Sequence, residues 1–120
     1  MRIFKNSWFT RFADKEGITN DELKDAVDLL EAGQATDLGA GVYKMRLARP
    51  GEGKRSGYRV IVFFRSEERT FFVYGFVKSN RGNINKKELR GFKKDAKLDL
   101  SVTDEEIKGR LRKRLLIEVL

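Results

Sequence analysis

The chain has 120 residues, a formal net charge of +8 and a hydrophobic fraction of 40%, which suits one domain with one core and excludes wholesale disorder. It contains no cysteine and no histidine, which excludes disulfides, thiolate and imidazole metal sites, and Ser–His or Cys–His nucleophile pairs. No apolar run approaches bilayer length and the opening MRIFKNSW lacks an apolar h-region, so the expectation is a cytoplasmic protein with no membrane partner.

Residues 2–5 read as a short strand. Asn6 or Ser7 then caps a helix presenting Trp8, Phe9 and Phe12, and Gly17 ends it. Thr19 and Glu22 form a capping box, Leu23, Ala26, Val27 and Leu30 follow at helical spacing, and Gly33 stops the second helix. The pair predicts a helical hairpin with an acidic outer face. Past Gly39 and Gly41 the period becomes strand-like. Over residues 42–49, Tyr43, Met45 and Leu47 point one way and Lys44, Arg46 and Ala48 the other. A loop over residues 50–57, a strand over 58–65, a hairpin turn over 66–69 and a strand over 70–78 follow.

Those last two strands are apolar on nearly every residue, as central strands covered on both faces are. Asn85 and Glu88 form a second capping box, opening a helix that buries Leu89, Phe92 and Ala96. A third box, Thr103 and Glu106, opens a last helix striped by Ile107, Leu111 and Leu115. The expected class is α+β: a small, mostly antiparallel sheet with an N-terminal helical hairpin and C-terminal helices. One domain spans residues 1–120, with 103–120 a C-terminal helical extension.

The positive charge is concentrated in the middle of the chain. Residues 1–40 carry a net −3, residues 41–94 a net +11, and residues 95–120 are neutral. Such a field attracts polyanions at long range and binds phosphates at short range, so a nucleic acid or an acidic protein is the expected partner. Solvated lysines that merely keep the surface soluble are the plainer reading.

Phosphate motifs fail at this site. Gly51-Glu52-Gly53-Lys54-Arg55 lacks the first glycine of a P-loop and has Arg55 where Ser or Thr belongs. The dinucleotide pattern fails too, because Gly57 arrives one residue late. The loop is either a hairpin tip or an RNA contact. Acidic residues sit in helix first turns and show no metal-like spacing, so neither a metal nor a cofactor is expected.

What remains is a set of strand cations. Lys44 and Arg46 share a face about 7 Å apart. Antiparallel pairing brings Arg59 beside them, and Lys78 and Arg81 lie where the third strand gives way to a helix. A continuous sheet gathers these side chains on one concave surface. The same cations would also serve as edge charges that block sheet aggregation.

The segments VYKMRL, SGYRVIVFF and FFVYGFVKSNRGNI, in this order, resemble those of RelE/ParE-superfamily toxins, near the RelE and HigB branches of type II toxin–antitoxin modules. The likeness covers residues 1–98 in element order and is most specific over residues 43–84. It implies a toxin that enters the ribosomal A site and cuts the mRNA codon there, with an antitoxin protein as its cognate partner. Such toxins use sheet lysines and arginines instead of histidines. Carried over, Lys44 and Arg46 match the paired strand cations, Arg59 the arginine of SGYR, and Lys78 and Arg81 the basic cluster after the last strand. Ser79 stands where RelE has an arginine, and RelE's base-stacking C-terminal tyrosine has no clear equivalent.

Cleaving RNA through its own 2′-hydroxyl needs a base, cations for the phosphorane and an acid for the leaving oxygen. A lysine crowded by arginines has its charged form disfavoured, which suits a base. The implied assignment is Lys44 as base, Arg46 and Arg59 as phosphate stabilisers, and Arg81 as acid or stabiliser. Lys54, Arg55 and Lys78 hold RNA. Two alternatives share the fold and charge: a ParE-like gyrase inhibitor, and a non-catalytic RNA- or ribosome-binding module.

Overall fold

A computed structural model describes residues 1–49 and 57–120. The chain runs β1 (Arg2–Asn6), α1 (Ser7–Glu16), α2 (Asn20–Glu31), β2 (Thr36–Gly39), β3 (Val42–Leu47), β4 (Tyr58–Arg65), β5 (Arg69–Val77), α3 (Lys86–Asp99), α4 (Asp104–Arg112) and β6 (Leu116–Glu118). The strands form one six-stranded sheet in the order β2-β3-β4-β5-β1-β6. Among the described residues only β1 and β5 pair in parallel; the other ladders are antiparallel. The class is α+β, as the change of period predicts.

Helix boundaries follow local chemistry. The Asn6 side chain accepts a 2.7 Å hydrogen bond from the Phe9 N–H and so caps α1, which Gly17 closes in the left-handed region. Both Thr19/Glu22 and Asn85/Glu88 make reciprocal capping boxes, at the starts of α2 and α3.

β4 is buried on every residue but Arg65, because both faces of the sheet are covered. Tyr58, Val60, Val62 and Phe64 join a core with Phe9 and Ala13 of α1 and Leu23, Ala26, Val27 and Leu30 of α2. Ile61 and Phe63, pointing the other way, pack with Ala96 of α3, Leu100 and Ile107 of α4. Gly75 on β5 permits the close approach of α1: a Cβ there would lie 2.7 Å from the Phe12 ring.

Two features correct the sequence reading. The C-terminal extension is not helical to residue 120. α4 ends at Arg112, Arg114 takes a left-handed φ of 59°, and the amides of Arg114 and Leu115 turn back to the carbonyls of Leu111 and Arg110. That crossed pair of bonds is a Schellman stop. Leu115, expected on the buried stripe, is therefore exposed, while Leu116 and Val119 are buried. The chain then pairs as β6 with β1, and the Arg2 guanidinium meets the Glu118 carboxylate through two 3.0 Å bonds. The i, i+4 leucines concealed a change of period that open edge positions on β1 impose. The second correction is β2, a strand of modest propensity that the sequence reading leaves unassigned. It exists because it pairs with β3, Thr36 opposite Lys44 and Asp37 opposite Tyr43.

Candidate nucleic-acid interface

The face of the sheet that carries α3 also carries the strand cations, beyond the end of the helix. Val42, Lys44 and Arg46 alternate onto this face of β3, and Arg59 and Ile61 onto that of β4. The β3–β4 register sets Arg46 directly opposite Arg59 and Lys44 opposite Ile61. Where α3 covers the sheet, Val42, Ile61 and Phe63 fill the interface. Where it does not, the same rows become Lys44, Arg46 and Arg59.

These three side chains and Lys78 line one cavity of about 690 Å³, closed by Gln34, Ala35 and Thr36 at the β2 edge and by Gly82 and Asn83 opposite. Among the described residues, no carboxylate lines it. Lys44 Nζ donates to Asn83 Oδ1 at 3.3 Å, and Lys78 Nζ to the Gly82 carbonyl at 3.3 Å. Arg46 is exposed, whereas Arg59 is 8% exposed at the cavity floor. Burial first, and then the like charge of Arg46, push the Arg59 guanidinium below its ordinary value.

Arg81 is placed differently. Its guanidinium lies over the rings of Tyr74 and Phe76, 5.9 and 5.5 Å from their centroids. It donates to the Tyr74 hydroxyl and the Asn83 carbonyl, each at 2.9 Å, and pairs with Glu88. The hydrogen bond to Glu88 raises the Arg81 pKa above an already high value. Arg81 therefore holds the 81–83 turn in place and is not a lining residue of the cavity. Glu88 serves twice, because the same Oε1 accepts the Asn85 N–H of the capping box at 2.9 Å.

Four of the predicted cations thus come together, Lys44, Arg46, Arg59 and Lys78, with Arg81 beneath the adjoining turn. Lys54 and Arg55 fall outside the described residues. Sequence reasoning missed Asn83, whose Oδ1 accepts from Lys44 and also from the Ile84 N–H at 2.9 Å. The turn-forming run Asn80-Arg81-Gly82-Asn83 was its only signal. It also missed Tyr74 and Phe76, which read as ordinary strand aromatics. Among the described residues, no group of three or more Asp or Glu gathers as a metal site, and no helix is long and apolar enough to cross a membrane.

Among the described residues, four cations of this small α+β protein converge on one cavity that no carboxylate lines. The model of the RelE toxin of the RelE/RelB toxin–antitoxin system matches residues 1–119, and the chain belongs to that family. It is a toxin of a toxin–antitoxin system, and the family implies an antitoxin as its partner.

Proposed function

We propose that this toxin, a single RelE-like domain near the RelE and HigB branches, inhibits translation in the cytoplasm by cutting mRNA on the ribosome without a metal. The observation that carries the reading is the cavity floor. Arg46 and Arg59 face each other across adjacent strands with Lys44 and Lys78 beside them.

In the proposed reaction Lys44 takes the proton of a ribose 2′-hydroxyl. That oxygen attacks the adjacent phosphorus, and Arg46 and Arg59 stabilise the added charge of the phosphorane. The bond to the 5′-oxygen breaks as that oxygen receives a proton, leaving a 2′,3′-cyclic phosphate and a 5′-hydroxyl. The Lys78 ammonium is the proton donor that lines the cavity, which replaces the sequence-based assignment of Arg81 as acid. Arg81 acts by holding the turn that carries Asn83, and Asn83 orients Lys44. Lys54 and Arg55 are assigned to RNA binding on their charge and their place in the 50–57 loop.

Inducible expression followed by mapping of mRNA 5′ ends tests the reading. Cuts within translated frames, dependent on ongoing translation, are expected. Intact transcripts accompanied by DNA damage would establish the gyrase-inhibitor alternative instead.

A further inference from the structure

β1 pairs with β5 only from Arg69 to Phe72, and beyond that point α1 begins. The remainder of β5 consequently has no strand partner on that side, and Trp8, in the first turn of α1, reaches it. The indole meets the Tyr74 ring with centroids 4.5 Å apart and the Phe12 ring at 5.4 Å. Trp8 nevertheless stays 38% exposed. Tyr74 continues the row to Phe76, with centroids 6.2 Å apart, and Phe76 is the register partner of Arg59. Arg81 lies over both of the last two rings. Cations on β3 and β4, aromatics on β5 and an exposed indole therefore follow one another across the sheet.

We propose that Trp8, backed by Tyr74, is a base-stacking subsite for single-stranded RNA, taking a nucleobase near a phosphate held by Arg46 and Arg59. Aromatic rings interleaved with a cationic groove are the chemistry by which single strands are held, because every base offers a π-face and every phosphate a charge. The indole lies about one position beyond β5, three strand spacings or about 15 Å from β3. That brings the indole within reach of a base about two nucleotides from the held phosphate. Arg81, tied to Glu88 and to the Tyr74 hydroxyl, keeps the backing rings fixed and gives the row a positive border. The inference rests on the RNA-cutting reading and adds the subsite that places the strand.

Trp8 is the chain's single tryptophan, so its emission reports on this site alone. The probe is a 2′-O-methyl hexanucleotide, which lacks the hydroxyl that cleavage needs, compared with an abasic backbone of equal length. Saturable quenching by the hexanucleotide is expected, tracking binding measured by the anisotropy of a labelled copy, with little quenching by the abasic chain. Trp8→Ala should weaken hexanucleotide binding on the order of tenfold, leave abasic binding unchanged, and be largely rescued by Trp8→Tyr. Unchanged emission while anisotropy shows saturation, or equal quenching by the abasic chain, would overturn the subsite and leave the cation site standing. Quenching by the antitoxin but not by the hexanucleotide would make Trp8 a protein contact and overturn it likewise. Failure of both chains to bind would overturn the RNA reading and the subsite together.

Discussion

Arg46 on β3 and Arg59 on β4 stand directly opposite each other in an antiparallel ladder. Like charges in that position are destabilising, by up to about 1 kcal/mol for an exposed pair. A fold under selection for stability alone would not keep them there. An anion bound between them would offset that repulsion, which ties the pair to the proposed phosphate-binding role.

That relationship predicts opposite effects on stability and on anion response. Arg46→Ala should leave the melting temperature unchanged or raise it slightly. Pyrophosphate should raise the melting temperature of the parent by mass action and that of Arg46→Ala much less. Differential scanning fluorimetry with and without pyrophosphate is the measurement. A loss of several degrees in the unliganded variant would mean that Arg46 is a structural side chain.

The next prediction separates chemistry from binding. Lys44→Ala and Arg59→Ala should each lower single-turnover cleavage on programmed ribosomes by about 100-fold or more, since each acts on charge that develops in the transition state. Lys54→Ala and Arg55→Ala should weaken binding and leave the rate at saturation nearly unchanged. Thermal melts establish that each variant is folded. Parent-like cleavage by folded Lys44→Ala would return that cation to the role of edge protection.

Asn83 offers a finer test, because its side chain accepts from Lys44 and the sequence reading had given Asn83 no role. Asn83→Ala releases the Lys44 amine from its 3.3 Å acceptor and should reduce the single-turnover rate about tenfold. Asn83→Asp keeps an acceptor but adds a negative charge that favours the ammonium form. It should therefore be slower than Asn83→Ala at neutral pH. The opposite ranking would show that Asn83 positions Lys44 without bearing on proton abstraction.

A pH dependence follows from the Arg81–Glu88 pair. The hydrogen bond from Arg81, then that from the Asn85 backbone, holds the Glu88 carboxyl below its ordinary range. A depressed carboxyl contributes stability above its unfolded pKa and loses it as pH falls through the folded value. The α3 capping box and the 81–83 turn should thus weaken together as pH drops below about 4.3, the ordinary glutamate value. Glu88→Gln should flatten melting temperature against pH in that acid window, while Asn85→Ala should cost about 1 kcal/mol at neutral pH through the cap alone. Parallel acid profiles for Glu88→Gln and the parent would show that the carboxylate is not the titrating element.

Local chemistry was enough for most of the elements. Capping boxes at Thr19 and Asn85, the stop at Gly17 and the alternation around Lys44 are interactions between residues a few positions apart, so the chain order alone specifies them. The likeness of VYKMRL and SGYRVIVFF to RelE-type toxins, and the strand alternation, also placed Lys44, Arg46 and Arg59 on one face, since side-chain direction in a strand depends only on parity. Tertiary structure decided the rest. β2 and β6 exist because β3 and β1 offer open edges to pair with, and neither TDLG nor LIE would form a strand by its own propensity. The fate of Arg81 was likewise not written locally. Seven residues separate it from Glu88, and only the turn between β5 and α3 brings the two together over Tyr74 and Phe76. Charge type can be read from the sequence; which cation is free to meet a phosphate depends on what folding has already placed beside it.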